Sequence, residues 1–142
     1  MICLDVNLLL YATNPADARH ERARVWLEDQ LNSGYPVGLP WATLLSFVRQ
    51  STNAAVRKPP LSMDDALTFV EEWLQWPSVW TPPPTSQHVT IFAGFLRRLP
   101  RNRLISDAHL AALAIEHGLT LCSADADFKL FPGLTFLNPL DP

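Results

Sequence analysis

The segment LISDAHLAALAIEHGLTLCSADAD, residues 104–127, contains the elements that decide the fold. Residues 104–117 predict the clearest helix of the chain, and Gly118 is typical of a helix C-terminus. Residues 119–122 predict a strand, and a short helix is predicted over residues 125–130. A helix followed by a short strand and a second helix is typical of an α/β fold with a largely parallel sheet.

The rest of the chain alternates in the same way. Residues 2–10 are almost continuously apolar and predict a buried, parallel strand. Further helices are predicted over residues 19–31, 41–51, 62–75 and 85–99, and further strands over residues 37–39, 78–81 and 134–137. No break in composition divides these elements, and 142 residues fit one domain of ordinary size. We therefore predict a single α/β domain over residues 1–142.

The composition limits the possible partners and compartment. The net charge of −3 does not indicate a nucleic-acid binder by itself, although bound cations can supply the positive charge that such a protein lacks. The longest apolar runs, such as residues 108–115, are shorter than the roughly 20 residues that a membrane span needs. Cys3 and Cys122 lie in apolar segments and are expected to be buried, reduced thiols. These features predict a cytoplasmic protein without a membrane partner.

Four aspartates, Asp5, Asp107, Asp125 and Asp127, are the candidate functional residues. Ligands of an open parallel sheet gather beyond the carboxyl ends of the strands. Asp125 and Asp127 follow the strand at residues 119–122, and Asp107 begins the antiparallel helix that leads into that strand. Asp5 interrupts the apolar first strand, where an unpaired acid is energetically unfavourable. We therefore expect the four carboxylates to converge on one edge of the sheet.

Carboxylates that lie together repel one another unless a cation neutralises them. Mg²⁺ and Mn²⁺ prefer oxygen ligands, lower the pKa of bound water and stabilise phosphodiester oxygens. A carboxylate site without neighbouring His or Cys favours phosphate chemistry over zinc-dependent proteolysis. The alternatives are structural: Asp107 can simply stabilise a helix dipole, and Asp125 and Asp127 can be ordinary turn residues.

Several segments resemble known motifs in both order and spacing. LDVNLL (4–9), LISDAHLAALA with the following HG (104–118) and SADADF (123–128) resemble motifs of PIN-domain nucleases. LPWATLLSFVR (39–49) and the tail from FPGL to NPL (131–140) resemble the VapC toxins of bacterial toxin–antitoxin modules, especially their mycobacterial-type subgroup. The resemblance covers essentially the whole chain. It implies a three-layer α/β/α PIN fold, Mg²⁺-dependent endoribonuclease activity, a homodimer and inhibition by a VapB-type antitoxin.

The resemblance also assigns roles to the acids. Asp5 and Asp107 match the aspartates that hold the metal. Asp125 and Asp127 match the acids that complete the site, and of these two we expect Asp125 to join the metal ligands. Mg²⁺ is the expected ion, with Mn²⁺ as the alternative.

Two polar residues, Asn7 and Ser123, match positions that support the metal ligands. Ser46 departs from the pattern, because many relatives carry a glutamate there, three residues before the arginine that is Arg49 here. A serine hydroxyl is neutral and short, so it cannot replace a carboxylate ligand. We therefore predict one well-held metal ion and a weaker or substrate-dependent second.

The arginines near the acids are candidate RNA-binding residues. Arg97, Arg98, Arg101 and Arg103 precede Asp107 and are expected to bind phosphates, although a solvated helix end is the alternative. Arg49 either orients an acidic ligand, contacts RNA or forms a structural salt bridge. The four histidines, His20, His88, His109 and His117, show no metal-binding spacing and are expected to be structural.

Three functions are compatible with these residues. The first is a ribonuclease toxin that cleaves structured RNA, such as tRNA or rRNA, by water attack that leaves a 5′-phosphate and a 3′-hydroxyl. The second is a PIN-like module, weakened in catalysis by Ser46, that binds RNA or a protein. The third, an aspartate-nucleophile phosphatase, is disfavoured because Asn7 stands where such enzymes need a second acid.

Overall fold

The computed structural model describes residues 1–141. Five short strands form one sheet in the order β3-β2-β1-β4-β5, and every pairing is parallel. The strands are β1 (Ile2–Leu4), β2 (Val37–Gly38), β3 (Val79–Trp80), β4 (Thr120–Cys122) and β5 (Phe136–Leu137). The helices are α1 (Val6–Thr13), α2 (His20–Leu31), α3 (Trp41–Ser51), α4 (Met63–Gln75), α5 (His88–Arg98) and α6 (Ile105–Glu116).

Helices cover both faces of the sheet. Successive strand residues point to opposite sides, so each central strand contributes side chains to an apolar cluster on either face. Leu4 and Cys122 face one apolar cluster, which includes residues of α1, α2, α3 and α4. Cys3 and Leu121 face a second cluster, which includes residues of α5 and α6. The predicted α/β/α arrangement of three layers with a parallel central sheet is thus confirmed.

The prediction of one strand over residues 2–10 is wrong. β1 ends at Leu4, and Asp5 is the N-cap of α1, with its side chain accepting a hydrogen bond from the Val6 N–H. A short apolar run does not distinguish a buried strand from a buried helix. Here Leu8, Leu9, Ala12 and Thr13 are buried, a pairwise pattern with helical spacing. Asp5 therefore lies at the end of a strand and not within one.

The start of α5 also differs from its prediction. Thr85 does not cap this helix, which begins at His88. The Thr85 hydroxyl instead accepts a hydrogen bond from the Gln87 N–H, and the Thr85 N–H donates to Glu116 of α6. Local preference for a cap is thus overridden by a tertiary contact. Elsewhere the predicted Ser62 cap is confirmed, and Gly118 ends α6 with a φ of 67°.

Both cysteines are buried free thiols, as predicted. Burial raises the pKa of the Cys122 thiol to about 12, so this thiol is protonated and unreactive at neutral pH. Within residues 1–141, none of the helices combines the length and the apolar character needed to cross a lipid bilayer.

Gly38 in β2 provides a test of the packing between strands. A Cβ atom at this position would lie 3.0 Å from the carbonyl oxygen of Ile2 and 3.4 Å from Leu119 and Pro82 atoms. Gly38→Ala should lower the free energy of unfolding by about 1–3 kcal/mol, because the neighbouring strand must move. Gly94→Ala on α5 is the matched control, since a Cβ atom there would have no packing neighbour within 4 Å. It should raise stability by about 0.5–1 kcal/mol. Urea denaturation that ranks Gly38→Ala at or above wild type would contradict this description of β2.

Candidate functional site

The carboxyl ends of β1 and β4 lie side by side at the centre of the sheet edge. Leu4 pairs with Cys122 in the parallel register, so Asp5 and Ser123 leave adjacent strands together. The Asp5 N–H continues the ladder by donating to the Cys122 carbonyl at 3.0 Å. Residues 118 positions apart in the sequence are therefore placed next to one another by the sheet.

Three donors hold the carboxylate of Asp5, which is only 7% exposed. The Val6 N–H donates to Oδ1 at 2.8 Å, and the Ser123 hydroxyl donates to Oδ2 at 2.7 Å. The Asn7 amide donates to Oδ2 at 3.1 Å. These bonds stabilise the buried acid and fix its orientation.

Asn7 and Ser123 also join α1 to the loop after β4. The Asn7 amide donates to the Ser123 hydroxyl at 2.9 Å and accepts from the Ala124 N–H at 3.1 Å. The Ser123 hydroxyl accepts from the Asp125 N–H at 3.0 Å. The two residues that were expected to support the site therefore lie beside Asp5 and determine the course of the loop that carries Asp125.

Asp107, Asp125 and Asp127 form a second group of acids, whose nearest carboxylate oxygens lie within 4.8 Å of one another. Asp107 lies in the first turn of α6, and Asp125 caps the 3-10 helix Ala126–Leu130 by accepting from the Asp127 N–H at 2.9 Å. Arg103 forms an ion pair with Asp127. Asp5 is not a member of this three-acid cluster, but it lines the same groove as Asp107 and Asp125 and repels Asp107 electrostatically.

The electrostatics of these acids show how strongly they interact. Burial is the main cause that raises the pKa of Asp107 to about 7, followed by repulsion from Asp5, Asp125 and Asp127, while Arg103 acts in the opposite direction. Burial also raises the pKa of Asp5, against the hydrogen bonds from Ser123 and Val6. A set of oxygen ligands that repel one another fits a hard divalent cation, which would neutralise them.

A groove of about 1090 Å³ opens over the acids. Asp5, Asp107 and Asp125 line it, together with α1, α3, α5 and the start of α6. Ser46 and Arg49 of α3 are in its wall, and the Ser46 hydroxyl accepts from the Gln50 amide at 2.8 Å. Asp5, Asp107 and Asp125 are therefore open to the groove, whereas Asp127 is not part of its wall.

The arginines of the groove are not the cluster that was singled out from the sequence. Among residues 1–141, none of Arg97, Arg98, Arg101 and Arg103 lines the groove, and of these only Arg103 reaches an acid. Three other arginines, Arg19, Arg49 and Arg57, do line it. Arg49 was already a candidate from the sequence, whereas sequence separation hid Arg57, which lies in the connection between α3 and α4, far from any acidic motif.

Arg57 and Arg49 differ from ordinary surface arginines. Arg57 is only 7% exposed, and its guanidinium donates to the hydroxyl and the carbonyl of Thr13 at the end of α1. No ion pair formed within residues 1–141 includes Arg57 or Arg49, so the salt bridge considered for Arg49 is not formed. Two positive charges without acidic partners thus face the groove.

Two histidines that were expected to be structural also line the groove. His88 of α5 and His109 of α6 are linked by a hydrogen bond of 3.0 Å between Nε2 of His88 and Nδ1 of His109. Nδ1 of His88 bonds to Glu116 at 2.8 Å, and the Glu116 side chain is 0% exposed. The spacing of these residues in the sequence gives no signal for the chain of bonds, because it forms between two helices.

The raised pKa of Asp107 predicts how the metal-free protein responds to pH. Its folded-state pKa of about 7 exceeds the ordinary 3.8, so the folded protein binds the proton more tightly than the unfolded chain. The free energy of unfolding therefore falls as the pH rises from 3.8 to about 7. In EDTA, Asp107→Asn should melt at a higher temperature than wild type at about pH 8, with the difference vanishing towards about pH 4.

Two further measurements complete this test. Added Mg²⁺ should raise the melting temperature of wild type at high pH and leave Asp107→Asn almost unchanged. Asp29→Asn on the exposed side of α2 is the control and should follow wild type at every pH. If the melting temperatures of wild type and Asp107→Asn change in parallel with pH, the pKa of Asp107 is not raised in the folded protein.

Comparison with known proteins agrees with the resemblance noted in the sequence. The PIN domain model matches residues 2–134. Ribonuclease VapC37 of Mycobacterium tuberculosis is 39% identical over 140 residues, which cover 98% of this chain and 97% of the relative. Ribonuclease VapC33 of the same species is 38% identical over 141 residues, which cover 99% of each protein.

Solved structures share the fold. VapBC2 from Rickettsia felis, bound to a DNA fragment from its promoter, superposes with a TM-score of 0.70 at 18% identity, over 97% of this chain and 98% of that one. VapBC-1 from nontypeable Haemophilus influenzae also gives 0.70, at 16% identity, over 99% and 100% of the two chains. The family model and the relatives together show that this chain belongs to the PIN-domain family and, within it, to the VapC ribonucleases.

Proposed function

We propose that this chain is a Mg²⁺-dependent endoribonuclease and the toxin of a VapBC-type toxin–antitoxin pair. The observation that carries the proposal is the meeting of Asp107, Asp125 and Asp127 within 4.8 Å, with the buried Asp5 beside them. Such a group of acids is unfavourable without a cation, as the raised pKa of Asp107 indicates. The names of the relatives, ribonucleases of the VapC group, support the choice of RNA.

The proposed metal ligands are Asp5, Asp107 and Asp125, with Asp127 completing the acidic site. A bound divalent cation would supply an activated water and charge neutralisation at the phosphate. Asn7 and Ser123 keep Asp5 oriented through their hydrogen bonds, so they are positioning residues. The reaction is hydrolysis: water adds to phosphorus, the 3′-oxygen leaves, and the products carry a 5′-phosphate and a 3′-hydroxyl.

Ser46 limits the site to fewer ligands than a carboxylate at that position would allow. Its hydroxyl is engaged by Gln50, which leaves a neutral polar pair in the groove wall. We therefore propose one tightly held Mg²⁺ and a second that binds weakly or with the substrate; Mn²⁺ would serve as a substitute. The same serine is the argument for the alternative function, a module that binds RNA but turns it over slowly.

The proposed substrate is structured RNA, such as tRNA or rRNA, held by arginines on two sides of the acids. Arg49 and Arg57 line the groove, and neither forms an ion pair within residues 1–141, although the Arg57 guanidinium is buried and donates to Thr13. Arg97, Arg98, Arg101 and Arg103 precede α6, and Arg103 already contacts the acidic loop. We propose that both sets contact phosphates, the first within the groove and the second outside it.

The proposed partners are a VapB-type antitoxin and a second copy of this chain, in the cytoplasm. The fold is shared with VapBC complexes, which supports an antitoxin partner. Exposed apolar side chains at the groove rim, including Leu45, Val56, Val89 and Ile105, offer a surface that an apolar peptide segment would cover.

Removal of single acids tests the catalytic proposal. Asp107→Asn and Asp5→Asn should each reduce RNA cleavage by about a hundredfold or more, because the cation is lost. Cleavage of host RNA, mapped at its 5′-phosphate ends with Mg²⁺ or EDTA, is the measurement. Asp29→Asn, outside the groove, should cleave as wild type does. If wild type binds RNA equally well with and without EDTA and never cleaves it, the binding-module alternative is correct.

Salt dependence tests the arginines. Removal of an arginine that neutralises one phosphate makes the plot of log K, the RNA association constant, against log salt concentration less steep by about one. Arg49→Gln, Arg57→Gln and Arg101→Gln should each show this loss when RNA binding is titrated on the Asp107→Asn background. Arg24→Gln, which removes an arginine paired with Glu21 and Glu28, should keep the full slope. An unchanged slope for Arg49→Gln would exclude that side chain from phosphate contact.

A further inference from the structure

The hydrogen-bond chain from Glu116 through His88 to His109 has a defined direction. The carboxylate of Glu116 is an acceptor, and it already receives the Thr85 N–H at 2.7 Å. Nδ1 of His88 therefore carries the hydrogen that Glu116 accepts. With both rings neutral, Nε2 of His88 is then an acceptor, so Nδ1 of His109 must donate to it.

This direction determines what His109 presents to a ligand. A neutral imidazole has one donor and one acceptor, and the donor of His109 is used by His88. The remaining nitrogen, Nε2, is left with a lone pair. His109 lines the groove, so its free nitrogen can accept a hydrogen bond from the substrate.

His109 shares the groove of the proposed site of chemistry. It follows Asp107 by two residues on α6, a shift of about 3 Å along the helix axis and about 200° around it, so the shared groove, and not the sequence spacing, relates the two side chains. Both side chains line the same groove. A nucleotide whose phosphate lies at the acids would therefore place its sugar within reach of this part of α6.

Hydrolysis by water leaves the ribose 2′-hydroxyl outside the reaction, so the acids alone do not distinguish RNA from DNA. Discrimination requires a contact to that hydroxyl. We propose that Nε2 of His109 accepts a hydrogen bond from the 2′-hydroxyl of a nucleotide flanking the cleaved phosphate, and that His88 and Glu116 fix its ring for this contact. This inference rests on the proposed ribonuclease function and adds a residue that selects the sugar.

Two substitutions separate this role from a structural one, because each amide matches one ring nitrogen. In His109→Asn the amide lies near the place of Nδ1, so the bond to His88 is kept and the acceptor in the groove is lost. In His109→Gln the amide lies near the place of Nε2, so the acceptor is kept. His117→Phe is the control, since His117 bonds to the Pro83 carbonyl and does not line the groove.

The substrate is a short RNA that retains the structure around one position where wild type cleaves it. It is compared with two copies, which carry a single 2′-deoxynucleotide immediately before or immediately after that position. One deoxy copy should lower kcat/KM of wild type about tenfold, the effect of one lost hydrogen bond. The same deoxy copy should not lower kcat/KM of His109→Asn any further. In His109→Gln and His117→Phe it should still lower kcat/KM by most of the wild-type factor. An equal deoxy effect in wild type and His109→Asn, or none in wild type, would overturn the proposal.

A second arm distinguishes the possible donors on the RNA. Exchange of the flanking base, with its ribose unchanged, should lower kcat/KM of wild type and of His109→Asn by the same factor. A different outcome is that base exchange lowers kcat/KM of wild type but not of His109→Asn, while the deoxy substitution lowers both equally. The ligand of His109 is then a base amino group, and the ribose assignment is wrong.

Failure of this inference remains distinguishable from failure of the proposed function. If wild type cleaves no RNA in Mg²⁺, the ribonuclease proposal fails, and binding decides the role of His109. Labelled RNA should then bind the Asp107→Asn protein in EDTA about tenfold more tightly than DNA of the same sequence. Adding His109→Asn should remove that preference; a preference that persists would reject His109 as its source.

Discussion

The buried carboxylate of Asp5 sets the arrangement of the whole sheet edge. A carboxylate that leaves water needs donors around it, and this one receives them from Val6, Asn7 and Ser123. Those donors come from the start of α1 and from the end of β4, which are distant in sequence and adjacent only because β1 and β4 pair. Asn7 and Ser123 also position the loop that carries Asp125, because they accept hydrogen bonds from the Ala124 and Asp125 N–H groups. The geometry of the acidic site therefore depends on the pairing of the two central strands.

The groove separates two kinds of charge. Acids gather where the central strands end. Arg49 and Arg57, which form no ion pair within residues 1–141, occupy other parts of the wall. This separation explains why a net charge of −3 is compatible with a nucleic-acid substrate. In the proposed function the acidic end would attract a cation, and the cation together with the arginines would present positive charge to phosphates. Net charge describes the whole chain, whereas binding depends on the local arrangement.

The sequence predicted the features that depend on local pattern and on the topology of parallel sheets. The helix that carries Asp107, the strand that precedes Asp125 and Asp127, and their common edge follow from chain direction alone. The extent of the first strand was not predictable, because residues 2–10 are apolar in both a strand and a buried helix. The histidine chain and the placement of Arg57 depend on packing between helices, for which sequence spacing carries no signal. That residues 1–142 form one domain stays a prediction.

The charges of the acidic site bear on the number of metal ions that it holds. Asp5, Asp107, Asp125 and Asp127 contribute four negative charges when ionised, and Arg103 offsets one of them through Asp127. A single divalent cation would reduce the remaining three negative charges to one. Asp107, with its pKa of about 7, would then release its proton to the solvent as the cation binds, which couples binding to pH. A second cation would give the site a net positive charge unless another anion joined it. Ser46 supplies none, and the phosphate of the substrate does. The charge balance thus favours a second ion that arrives with RNA.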